Sequence, residues 1–126
     1  MSGPTKLTRE MVWDRDGGAC VWCGQAVSPS WHSIHHRTNR GAGGSRRREL
    51  NLPGNLVLLH GTGTDGCHGL ITCDAEAIVE AKRRGLVLSK LSLVPPSEVP
   101  VLYAGVVWAL LGDGGSWTAV SNPVGA

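Results

Sequence analysis

The feature that most constrains this chain is the spacing of its cysteines and histidines. Cys20 and Cys23 flank Val21-Trp22 and are followed by Gly24, so two sulfurs sit on one short turn. Two thiolates on such a turn can both reach one ion at about 2.3 Å. His60 and Cys67 follow downstream, separated by Gly61-Thr62-Gly63-Thr64-Asp65-Gly66. That insert is wider than a usual knuckle, but its glycines let it loop out. Together the four make a Cys3His set with no open position, the pattern of a structural zinc site. Cys73 is the alternative fourth ligand in place of His60; otherwise it is a free, partly buried thiol near a helix start.

Composition explains why such a staple matters. The chain has 126 residues, which suits one domain with a small appendage. It contains five Trp, one Tyr and no Phe, so a large aromatic core is out of reach. Small cores give no more than about 3–5 kcal/mol net, whereas structural zinc brings roughly 10–16 kcal/mol of apparent binding free energy to folding. Gly accounts for 18 residues, about twice the usual share of roughly 7%, so loops must be extensive. The net charge of +2 excludes a basic tail or an acidic surface as the main feature. No apolar run approaches the ~20 residues that span a bilayer, and Met1 to Glu10 has no apolar leader region. The expectation is a soluble cytoplasmic chain without a membrane partner, in which cysteines bind metal in preference to forming disulfides.

Along the chain, Thr8 to Arg15 reads as a short helix capped by Thr8 and ended by Gly17-Gly18. Ala19 to Trp22 and Trp31 to His36 read as short strands, and Asn55 to Leu59 as an apolar one. Asp74 caps a helix through Arg84, with Ile71, Ala75, Ile78 and Ala81 on one face and Gly85 as its stop. Lys82, Arg83 and Arg84 then suit the helix C-terminus, where cations favour the dipole. Beyond residue 90 the character changes. Residues 91–126 hold no Lys or Arg, Pro95, Pro96 and Pro100 mark a linker, and Gly112 to Gly115 reads as the turn of a β-hairpin. The division expected is a functional domain over 1–90 and a linker with an appended hairpin over 91–126.

Charge is concentrated in one stretch. From Trp31 to Arg48 there are five Arg, three His and no acid. Arg37, Arg40, Arg46, Arg47 and Arg48 are therefore candidate phosphate contacts on a Gly/Arg loop. His35 and His36 precede that loop directly, and His68 follows Cys67. Adjacent strand residues point to opposite faces, so the strand must end or bulge for both to serve one site.

Ile34-His35-His36-Arg37, the Gly41-Ala42-Gly43-Gly44 loop, Asn55-Leu56-Val57-Leu58-Leu59 and Gly66-Cys67-His68-Gly69 resemble the HNH endonuclease family. The match is best to the small HNH proteins of tailed bacteriophages, including those associated with DNA-packaging terminases, and covers about residues 9–84. The resemblance implies an α+β fold with a ββα-metal (His-Me finger) core. It implies His35 and His68 as ligands of a catalytic divalent ion such as Mg2+, Mn2+ or Ni2+. His36 matches the general base, and Asn55 the Asn that braces the loop. Cys20, Cys23 and Cys67 match structural zinc ligands. Position 60 departs, since such relatives usually carry Cys there, and imidazole is a competent replacement. DNA is the implied partner, together with phage terminase subunits.

The residue chemistry agrees with these roles. A neutral imidazole with a pKa near 6.5 accepts a proton from water at neutral pH, and one divalent ion stabilises the charge growing on a phosphodiester. The alternative is a zinc-stapled DNA-binding or packaging-assembly module without catalysis. A zinc nucleobase deaminase is excluded, because His-x-Glu with Pro-Cys-x-x-Cys does not occur in the chain.

Overall fold

Helix α1 spans Lys6–Arg15 and starts three residues earlier than Thr8 suggested, because Thr5 is the cap: its hydroxyl accepts the Thr8 amide at 3.1 Å. The computed structural model describes residues 3–39 and 48–123. Gly17 and Gly18, both with positive φ, carry the chain off the end of α1. Ala19 to Trp22 is not a strand. A single bridge joins Ala19 to Ala26, and between them Cys20 N–H bonds Gln25 O at 2.8 Å while Gly24 N–H bonds Cys20 O at 2.7 Å.

Strand β1 (His32–His36) pairs antiparallel with β2 (Leu56–His60) in the register His32 to His60 and His36 to Leu56. The run Leu56-Val57-Leu58-Leu59 is buried throughout, as a strand covered on both faces must be. Helix α1 packs on β2, as does α2 (Gly66–Cys73). A second helix of the pair, α3 (Ala75–Arg83), follows after a break at Asp74. The apolar spacing from Ile71 to Ala81 is therefore divided between two helices. Asp74 is extended, and its carboxylate accepts the Ala77 amide at 2.9 Å, so it caps α3 and ends α2 together.

The C-terminal segment forms a three-stranded antiparallel sheet, β3 (Val101–Tyr103), β4 (Val107–Leu111) and β5 (Trp117–Ala119). The β4–β5 hairpin was anticipated; β3 is added by a turn at Ala104-Gly105, both with positive φ. This sheet is not an appendage. Val101 and Leu111 are fully buried in the same core as Val12, Leu58 and Ile71. Leu102 N–H bonds Arg84 O, Ala104 N–H bonds Val21 O, and Tyr103 Oη donates to Asp16 Oδ1 at 2.6 Å. Asp16 is buried, paired with Arg15 at 2.9 Å, and also accepts the Leu58 amide. The boundary expected at residue 90 thus crosses a continuous core.

The result is a small α+β arrangement. Among the described residues it has three α-helices and two antiparallel sheets. No helix among them is long and apolar enough to cross a membrane.

Candidate metal centre and imidazole cleft

Cys20, Cys23, His60 and Cys67 converge. Their ligand atoms all lie within 4.8 Å of one another, so the group could hold a metal ion such as zinc. His60 Nδ1 stands 3.3 Å from Cys23 Sγ and 3.7 Å from Cys67 Sγ. A tetrahedron with metal–sulfur bonds of about 2.3 Å has edges of about 3.8 Å, so these separations suit donors sharing one ion. The other ring nitrogen, Nε2, donates to Ala26 O at 3.1 Å, which leaves the Nδ1 lone pair facing the thiols.

Three elements deliver these donors: the Cys20–Cys23 turn, the end of β2, and the first turn of α2. The wide His60-to-Cys67 insert closes because Gly61 and Gly66 allow it. Both have positive φ, and a Cβ on Gly66 would lie 2.8 Å from Gly61 Cα. Burial raises the pKa of Cys20, and it raises that of Cys67 further with help from Cys20 and Cys23. Packed thiols resist ionising beside one another; a dication among them reverses that preference. Cys73 lies outside the group, exposed, with its sulfur 3.7 Å from Gly63 O.

A second set of imidazoles lies beside it. His35 Nδ1 and His68 Nε2 are 3.3 Å apart, with ring centroids at 5.0 Å. Each ring is held from its far side. His35 Nε2 donates to Leu86 O at 2.7 Å, and His68 Nδ1 meets Ser33 Oγ at 2.6 Å. Burial lowers the pKa of His35 to about 4. Burial also lowers that of His68, with His36 adding to the effect. Both rings are therefore neutral at pH 7 and present nitrogen lone pairs.

His36 joins them. It lines a cleft of about 240 Å³ with Ile34, His35, Asn39, Gly63, His68 and Thr72. Neighbours on a strand diverge, yet both share this cleft because β1 ends at His36 and the chain bends at Arg37. His36 Nε2 lies 2.8 Å from Asn51 Oδ1.

Asn55 is fully buried and ties the backbone on both sides of the Arg loop. Its Oδ1 accepts the Thr38 amide at 2.8 Å, and its Nδ2 donates to Thr38 O and Leu50 O.

Arg37 does not fit the phosphate role read from its charge. It is 1% exposed, and its guanidinium donates to Gly85 O, Gly54 O, Pro96 O and Val99 O at 2.6–2.8 Å. Burial lowers its pKa to about 9. Four carbonyls from three segments form its socket, so it binds the C-terminal segment to the end of β1. Arg40, Arg46, Arg47 and the side chain of Arg48 lie outside the described residues.

Sequence reasoning missed Ser33 and gave Asn51 no role. Neither sits in a motif, and only the pairing of β1 with β2 and the return of α2 place Ser33 under His68. Comparison with family models, curated proteins and solved structures finds no match for this chain.

Proposed function

We propose that this protein is a metal-dependent HNH DNA endonuclease that hydrolyses phosphodiester bonds. The observation that carries the reading is the 3.3 Å approach of His35 Nδ1 to His68 Nε2 in a cleft that His36 also lines. Two nitrogens that share one ion through bonds of about 2.1 Å lie roughly 3.0–3.4 Å apart, so His35 and His68 would hold a divalent cation such as Mg2+, Mn2+ or Ni2+. Held there by His35 and His68, such a cation would supply positive charge that stabilises the negative charge growing on the scissile phosphate. The Leu86 carbonyl and the Ser33 hydroxyl aim the two lone pairs.

His36 takes a proton from water, the water oxygen attacks phosphorus, and the bond to the 3′ oxygen breaks; that oxygen takes a proton from solvent water, which leaves a 3′ hydroxyl and a 5′ phosphate. Asn55 acts on the backbone: it holds Thr38 to Leu50 and so fixes the root of the loop on which the base stands. In this reading Cys20, Cys23, His60 and Cys67 hold structural zinc, β1, β2 and α2 form a ββα-metal core, and Arg40, Arg46, Arg47 and Arg48 contact phosphates. Arg37 has no part in DNA contact. The resemblance to tailed-phage HNH proteins makes DNA packaging, beside terminase subunits, the setting proposed for the cut.

The test is plasmid nicking by the zinc-loaded protein with Mg2+, Mn2+ or Ni2+ against EDTA. Cleavage that needs the cation and disappears in His36→Ala supports the reading. Cation-independent cleavage, or a fully active His36→Ala protein, overturns it. Shape-preserved DNA binding without any cleavage assigns the chain to the non-catalytic module.

A further inference from the structure

We infer that Asn51 is a positioning residue that sets the tautomer of His36, presenting its Nδ1 lone pair as the nitrogen that takes the proton. The inference rests on the reading above for the role of His36, but the tautomer itself is a separate physical statement. A carboxamide oxygen can only accept a hydrogen bond, so Asn51 Oδ1 at 2.8 Å from His36 Nε2 requires the proton to be on Nε2. The neutral ring then carries its lone pair on Nδ1.

The placing of Asn51 is itself held. It ends the 3₁₀ turn Arg48–Asn51, and the preceding residue, Leu50, is 2% exposed with its carbonyl bound by Asn55 Nδ2 at 2.9 Å. Asn55 Oδ1 simultaneously holds Thr38, two residues beyond His36. The two asparagines therefore divide one task. Asn55 fixes the backbone on both flanks, and Asn51, set on that frame, fixes the ring. They stand four positions apart in sequence, and their side chains act on different atoms.

The experiment uses the full zinc-loaded chain, labelled with 15N, and long-range 1H–15N correlation of the histidine rings at neutral pH. In the parent, His36 is expected to show protonated Nε2 and unprotonated Nδ1. Asn51→Leu, close to Asn in size but without an acceptor, is expected to give averaged nitrogen shifts for His36 and leave those of His35 and His68 in place. Asn51→Asp keeps an acceptor and restores the parent pattern. In Mg2+-dependent cleavage, Asn51→Leu is expected to lower kcat about ten- to a hundredfold with KM unchanged, the scale of a misdirected catalytic group. Asn51→Asp recovers most of that loss. If Asn51→Leu does not fold, Asn51→Ala, which also lacks an acceptor, is read in the same way. An unchanged His36 tautomer in a folded variant lacking the acceptor overturns the inference, as does a fall in KM-linked binding with kcat intact. If the parent cuts no DNA at all, the base role falls, and the nitrogen shifts alone decide whether Asn51 sets the ring.

Discussion

The molecule uses imidazole in two neighbouring places and in two different ways. At His60, one ring nitrogen is tied to Ala26 O and the other completes a ring of three sulfurs. Every donor is spent within the group. At His35 and His68, the donors number two, each with its far nitrogen supported, and they open onto a cleft of about 240 Å³. The lesson is that the residue type does not set the role. Four convergent donors close a metal site and make it a clasp. In the proposed reading, two donors would leave coordination positions for water and substrate, with polar neighbours aiming them. The clasp also builds the cleft, because Cys67 and His68 are adjacent on α2: what holds one centre positions the other.

The sharpest way to break this contrast is to remove a clasp ligand. If the group holds zinc as proposed, Cys23→Ser or Cys67→Ser is expected to abolish folding, since structural zinc brings roughly 10–16 kcal/mol of apparent binding free energy. Circular dichroism melts with and without a strong chelator would show it, and a variant melting like the parent would remove the clasp from the argument. At the cleft the expectation reverses. His36→Ala should lose about 10²–10⁴-fold in nicking rate with an unchanged melt.

Arg37→Leu separates charge near the cleft from charge for DNA. Stranding the carbonyls of Gly85, Gly54, Pro96 and Val99 is expected to cost about 3 kcal/mol or more. In a chain of this size that lowers Tm by about 10 °C or more, while the salt dependence of DNA binding stays as in the parent. A flattened salt slope with an intact Tm would return Arg37 to the phosphate contacts. Ser33→Ala tests the support behind His68. Mn2+ binding, followed by calorimetry, is expected to weaken about 10–100-fold, with zinc content unaltered.

The smallest effect expected is on pH. Burial holds His35 down at about 4, and His68 is lowered too. The unfolded chain binds these protons near pH 6.5, so it gains them before the fold does. Their contribution to stability is full above about pH 6.5 and is lost as pH falls from there through 4. Urea midpoints at pH 7.5 and 5.5 for the parent and His35→Gln, under identical metal conditions, isolate the term. The variant should show the shallower loss, and equal slopes would mean His35 does not titrate as its burial requires.

Much of the clasp was legible. Cys20-x2-Cys23 declares itself, and His60 and Cys67 were the remaining pair at a workable separation. The cleft was legible only in its histidines. Nothing local marks Ser33 or Leu86 as their supports, since those contacts cross 35 and 51 residues of chain. Asn51 and Asn55 lie close together in sequence, and in space they act on different atoms. Arg37 misled for a physical reason. A cation in a basic loop reads as solvated, and only the convergence of carbonyls from Gly54, Gly85 and the 96–99 segment lets it be buried. The same distant packing undid the boundary at residue 90.

By itself, the sequence determined which atoms were available: three thiols and an imidazole at ligand spacing, capping residues at helix starts, an apolar β2, and glycines where the chain must turn back. These are short-range matters, set by bond geometry and side-chain chemistry. Tertiary structure alone decided which nitrogen of each ring points inward, which arginine is buried, and that Val101 and Leu111 share the core with Val12 and Leu58. Those outcomes depend on what covers each group, and burial and hydrogen-bond partners come from segments far away in the chain.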